Sequence, residues 1–109
     1  MLPKPHRLVK KKDFEMVFKN GKSVKSGFLA GRAMKNNLPA SRFGFVVSKK
    51  ISTKATVRNK VKRRLRDAAA EEIKKIGKSL DVVMVALPGT EKKEFGEITA
   101  EVINFFKKL

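Results

Sequence analysis

The alternation of apolar and polar residues divides the chain into six predicted elements. From Lys11 to Lys19, Phe14, Val17 and Phe18 recur at helical spacing and Asn20-Gly21 supplies a stop, which predicts a short helix. Ser23 to Lys35 carries Val24, Phe28, Leu29 and Met34 without that period. Asn36-Asn37-Leu38-Pro39 then makes a turn before the next apolar run, so this region reads as strand, turn, strand. In Ser41 to Ser48, Phe43, Phe45 and Val47 alternate with Arg42, Gly44 and Val46, the two-residue period of a strand with one well-buried face. Between Ala55 and Ile76, the positions Val57, Val61, Leu65, Ala69 and Ile73 fall four apart, with Ala68 and Ile76 beside them. That is the inner stripe of a long helix, stopped by Gly77. Leu80 to Leu87 is nearly all apolar and reads as a strand buried on both faces, bounded by Pro88-Gly89. Phe95, Ile98, Val102 and Phe105 follow the helical period to the end, with Thr90 as candidate N-cap and Lys107 and Lys108 suited to the C-terminal dipole.

The order helix, strand, strand, helix, strand, helix predicts a small two-layer α+β domain of ribosomal-protein-like kind. Its mixed sheet contains a hairpin and one strand-helix-strand crossover, with the helices covering one sheet face. A chain of 109 residues has room for one such domain over 1–109, preceded by a loose basic arm, 1–10, containing Pro3 and Pro5.

Composition removes several classes of function. Without cysteine there is neither a disulfide framework nor a thiolate zinc site. The longest apolar run, Val82 to Leu87, is far short of the ~18 to 20 residues that span a bilayer, and the amino terminus lacks the apolar core of a secretory signal. The expected location is the cytoplasm.

Charge changes the picture most. Lys and Arg number 27 against 10 Asp and Glu, a formal net charge of +17, which repels itself and calls for a polyanionic partner. Residues 1–66 hold 20 basic and 2 acidic side chains, whereas residues 67–109 hold 7 basic and 8 acidic ones. Between Glu15 and Asp67 there are 15 Lys and Arg and no acid at all. Solvated surfaces interleave the two signs, so this asymmetry points to nucleic acid.

Projected at about 100° per residue, Asn59, Lys62, Arg63 and Arg66 share the side of the long helix opposite its apolar stripe, flanked by Arg58, Lys60 and Arg64. Like charges four apart, such as Arg58 with Lys62 and Lys62 with Arg66, each destabilise a helix by ~0.2 to 0.5 kcal/mol. A phosphate lattice offsets that cost: arginine forks grip phosphate bidentately and lysine supplies a point charge. The neutral amide of Asn59 has three possible uses here: to cap, to orient an arginine or to reach a base.

The stretch Ala55-Thr56-Val57-Arg58-Asn59-Lys60-Val61-Lys62-Arg63-Arg64-Leu65-Arg66 resembles the arginine-asparagine-arginine motif of the bacterial ribonuclease P protein subunit. Val47-Ser48-Lys49-Lys50-Ile51, the early Asp13-Phe14-x-x-Val17-Phe18-Lys19-x-Gly21, the length and the element order are also similar to that family, so the resemblance covers almost the whole chain. It implies a protein cofactor for a ribozyme: the RNA subunit frees the mature 5′ end of transfer RNA, and the protein binds that RNA and the precursor. Arg58, Asn59, Lys60, Lys62, Arg63, Arg64 and Arg66 then belong to the surface for the ribonuclease P RNA. A cleft between the first helix and the sheet would hold the single-stranded 5′ leader of precursor transfer RNA. Phe14 and Phe18 map onto its aromatic positions, and Ser48, Lys49 and Lys50 onto phosphate contacts at its rim. Where relatives often carry an aromatic in the first strand, this chain has Ala30-Gly31-Arg32, with Arg32 as a partial substitute by stacking or phosphate contact. The resemblance further implies Mg²⁺ in the assembled enzyme, held mainly by RNA phosphates with some near the motif helix, and no cofactor for the protein alone.

The residues themselves agree that the protein is not the catalyst. Its cationic half offers only His6, Asp13 and Glu15, without the paired carboxylates or ligand spacing that hydrolysis or metal binding requires. Phe14 and Phe18 lie one helical turn apart, on one side of their helix, a spacing that serves base stacking and core packing equally. Phe28, Phe43 and Phe45 share that ambiguity, with strand alternation favouring core. The alternative of a ribosomal or assembly protein on structured RNA shares the charge and fold but needs no leader cleft. DNA binding is disfavoured because no short helix precedes Ala55 to make a helix-turn-helix. Membrane binding is disfavoured because Val57, Val61 and Leu65 are claimed by the core.

Overall fold

In the computed structural model, which describes residues 4–109, the chain runs α1 (Lys11–Asn20), β1 (Lys22–Ser26), β2 (Leu29–Lys35), β3 (Arg42–Val46), α2 (Ala55–Lys75), β4 (Leu80–Ala86) and α3 (Phe95–Lys107). Single 3-10 turns lie at Lys4–His6 and Thr90–Lys92. The sheet order is β1-β2-β4-β3. β1 and β2 are antiparallel, as are β2 and β4, while β3 and β4 are parallel and joined through α2. The α+β class, the mixed sheet and the strand-helix-strand crossover are those the sequence predicts.

Apart from Asp81, β4 is apolar because it has a strand on each edge and helices over both faces. Leu80, Val82, Met84 and Ala86 face α2 and α3 in the main core with Leu29, Phe43, Phe45, Leu65 and Phe105, and the Phe43 and Phe106 rings stack at 5.2 Å. Val83 and Val85 face the other way, where α1 seats fully buried Val17 beside Leu8, Phe14 and Met34. The expectation of helices on one face is thereby corrected: α1 has an apolar side of its own and covers the second face.

The single strand read over Ser23 to Lys35 is in fact a hairpin. Ser26 pairs with Leu29, so Gly27 and Phe28 form a two-residue turn, and Gly27 has φ +55°, a conformation that favours glycine. Sequence pattern did not separate the strands because β1, Lys-Ser-Val-Lys-Ser, is an edge strand with one apolar residue.

Two further expectations change. The amino-terminal arm is docked at His6 to Leu8 rather than loose there: Arg7 bridges in parallel to Phe43, the Leu8 N–H donates to the Phe43 carbonyl at 3.0 Å, and the Leu8 side chain is 4% exposed. The His6 ring donates from Nδ1 to the Ser41 carbonyl at 2.8 Å. The outer edge of β3 and the apolar Leu8 together explain this docking; residues 1–3 of the arm lie outside the described residues. Thr90 does not cap α3. Its hydroxyl is taken by the carbonyls of Leu87 and Phe28, and α3 begins after Glu94.

Candidate nucleic-acid interface

The amino-terminal half of α2 carries its cations as the sequence places them. Val61, Leu65, Ala68 and Ala69 are buried; Asn59, Lys60, Arg63 and Arg66 are exposed, and Arg58, Lys62 and Arg64 are half-buried. Packing assigns them to different neighbours. Arg58 donates from Nη1 to the carbonyls of Ser52 and Thr53, both at 3.0 Å, closing the loop that leads into a helix without a side-chain N-cap bond. Lys62 and Arg66 line a groove of about 340 Å³ with Leu8, Val9, Phe14 and Gly44. Arg64 lies on the opposite flank, with Nη1 3.5 Å from the Lys93 carbonyl. Asn59, Lys60 and Arg63 form the ridge between these flanks.

A second surface is built on the other sheet face. By register, Arg32, Val83 and Gly44 form one cross-strand row on the α1 side, and Ala30, Val85 and Val46 form the next. The Phe14 ring lies against Gly44, where any Cβ would sit 2.4 Å from the ring Cζ. Phe14 is therefore half-buried as part of the floor, whereas Phe18, one turn later, is 43% exposed. The two rings divide the roles that spacing alone left open. Ser48, Lys49 and Lys50 are exposed just beyond β3, in a turn closed by the Ile51 N–H on the Ser48 carbonyl and pinned by buried Ile51. Arg32 shares the α1 face, but its Nη1 donates to the Gly21 carbonyl at 2.9 Å, which ties it to the α1–β1 junction.

The acids of the basic half are engaged. Asp13 and Asp81 share Arg42, whose Nη2 is 2.6 Å from Asp81 Oδ2 and whose Nη1 is 3.2 Å from Asp13 Oδ2. The hydrogen bond to Asp81 raises the Arg42 pKa above its ordinary value, opposed by burial and helped by the charges of Asp81 and Asp13. Glu15 pairs with exposed Lys11 at 3.9 Å. Among the described residues, no three His, Cys, Asp or Glu side chains converge as a metal cage, and no helix is long and apolar enough to cross a membrane.

Leu8, Val9 and Gly44 were not among the candidate site residues. A pair of apolar residues inside a basic arm was the one available signal for the first two, and nothing in the sequence tells that the glycine of β3 faces an aromatic ring.

A family model described as Ribonuclease P matches residues 2–109. The chain belongs to the ribonuclease P protein family. A ribonuclease P protein component of Brevibacillus brevis is 38% identical over 104 residues, covering 94% of this chain and 82% of that protein. Its counterpart in Alkaliphilus metalliredigens is 33% identical over 104 residues, covering 95% and 93%. Among solved structures, the ribonuclease P protein of Thermotoga maritima superposes with TM-score 0.84 at 31% identity, over 94% of this chain and 96% of the other. That of Staphylococcus aureus gives 0.82 at 26%, over 94% and 93%. Family membership does not favour the ribosomal alternative, and it makes the chain the protein component of a ribonucleoprotein that processes transfer RNA 5′ ends.

Proposed function

We propose that this ribonuclease P protein holds two RNAs on two separate surfaces: the catalytic RNA on the α2 ridge and the 5′ leader of precursor transfer RNA in the α1 cleft. The observation that carries this reading is the separation itself, with Asn59, Lys60 and Arg63 exposed on α2 and Phe18 exposed over the opposite sheet face. Phosphate contacts by Lys and Arg supply salt-dependent affinity, and stacking on Phe18 with Phe14 behind it supplies sequence-tolerant grip on a single strand. Lys49 and Lys50 at the cleft rim reach phosphate, and Arg58 supports the ridge by fixing the loop before α2.

Bond cleavage is assigned to the RNA. Mg²⁺ in the assembled enzyme is proposed to be carried mainly on RNA phosphates, with some of it near the basic helix. Two RNA partners and no membrane or DNA partner make the cytoplasm the proposed location. The test is reconstitution: the purified protein restores precursor cleavage by a bacterial ribonuclease P RNA at low Mg²⁺, and the reading fails if cleavage is unchanged by the protein.

A further inference from the structure

We infer that a third RNA contact lies at the end of the sheet where β4 finishes and β2 begins, and that it receives single-stranded RNA running past the α1 cleft. The inference rests on the leader reading above. The sheet row Ala30–Val85 that borders the cleft is followed by Phe28 and Leu87, whose backbones continue the ladder through the Leu87 N–H on the Phe28 carbonyl at 2.9 Å. Beyond them opens a cavity of about 660 Å³ lined by Phe28, Pro88, Gly89, Lys92, Lys93 and Glu97.

The lining has the chemistry that grips single-stranded nucleic acid, an aromatic ring among cations. The Phe28 ring is half-buried against the core and carries the Lys93 ammonium 5.5 Å from its centroid. It is preorganised, because its carbonyl accepts hydrogen bonds from the Leu87 N–H and the Thr90 hydroxyl, and Thr90 is fully buried. Arg64, on the flank of α2, reaches the Lys93 carbonyl and so places one further cation near this cavity. Of the nearby acids, Glu97 lies 3.9 Å from Lys93, Glu91 accepts the Gly89 N–H at 2.7 Å, and exposed Glu94 lies outside the cavity lining. Exposed Lys92 stays available for phosphate, and the open backbone at Gly89, with φ +105°, leaves room for a strand to pass. The occupant this fits is RNA, with a base against Phe28 and its phosphates on Lys92 and Arg64.

The test uses assembled holoenzyme and two precursors, one with a leader that ends at the α1 cleft and one extended by several nucleotides. Phe28→Leu, which keeps apolar volume, and the pair Lys92→Gln with Lys93→Gln, which leaves the core alone, are each expected to weaken binding of the extended precursor about five- to tenfold while leaving the short one unchanged. Equal losses on both precursors, or no loss on the extended one, would overturn the inference. Failure of the underlying leader reading looks different: Phe18→Ala would then leave both precursors bound as tightly as before.

Discussion

Arg42 joins Asp81 of the central strand to Asp13 of the first helix, two carboxylates that sequence places 68 residues apart and the fold brings onto one guanidinium. The Asp81 side chain is nearly buried, takes a second bond from Asn36 at 2.7 Å, and makes the stronger contact with Arg42. The bridge fixes the start of α1 over the sheet, and with it the Phe14 ring one residue later.

Arg42→Ala therefore leaves a nearly buried carboxylate without its cation, at a cost of about 2 to 4 kcal/mol in urea unfolding. Asp13→Asn removes the longer, more exposed contact and is expected to cost under about 1 kcal/mol. Because the folded-state pKa of Arg42 is raised, the cation's contribution is fully present at all pH values below its ordinary range and disappears only in strong alkali. The difference between wild type and Arg42→Ala should accordingly be flat from neutral to mildly alkaline pH.

Gly44→Ala places a methyl group against the Phe14 ring and should cost about 1 to 3 kcal/mol as that ring is pushed from the floor. The same variant should bind leader-bearing precursor less well while binding mature transfer RNA normally within the holoenzyme. Equal affinity losses for both RNAs would place the defect elsewhere.

The two α1 phenylalanines should separate in their effects. Phe18→Ala is expected to change stability by less than about 1 kcal/mol yet lose ~1 to 3 kcal/mol of precursor affinity, since its ring is largely free to stack. Phe14→Ala should lose about 2 kcal/mol or more of stability as well, because its ring also fills the sheet floor. Thermal unfolding set beside precursor and mature-RNA affinities reads both quantities.

Leu8→Ala should destabilise by about 2 to 4 kcal/mol, as a large-to-small change in a core requires, whereas Val9→Ala, 72% exposed, should not. A loose arm would make the two variants alike, and denaturant midpoints distinguish these cases.

What the sequence made legible follows from the range of each signal. The stripe from Val61 to Ile73 and the apolar run of β4 are long and strongly patterned, so α2, β4 and the crossover that joins β3 to β4 can be read directly. β1 and the Arg7–Phe43 bridge cannot, because each is short, polar or set by an edge that exists only after the sheet has formed. The cations of α2 were placed on the correct helix face, but a helical projection contains no neighbours. It could not assign Lys62 and Arg66 to the Phe14 side, or Arg64 to the Lys93 side. Phe14 and Phe18 look equivalent in spacing, and only the bare backbone of Gly44 decides which of them is floor.

The claim on which the rest depends is that the exposed ridge of α2 binds the catalytic RNA through its phosphates. The most direct measurement is the salt dependence of affinity for ribonuclease P RNA, compared between wild type and the double variant Lys60→Gln, Arg63→Gln, which spares the loop-fixing Arg58 and the Arg66 of the Phe14 groove. The account predicts weaker binding and a log-log slope shallower by roughly two, about one for each phosphate contact removed. An unchanged affinity and slope would contradict it.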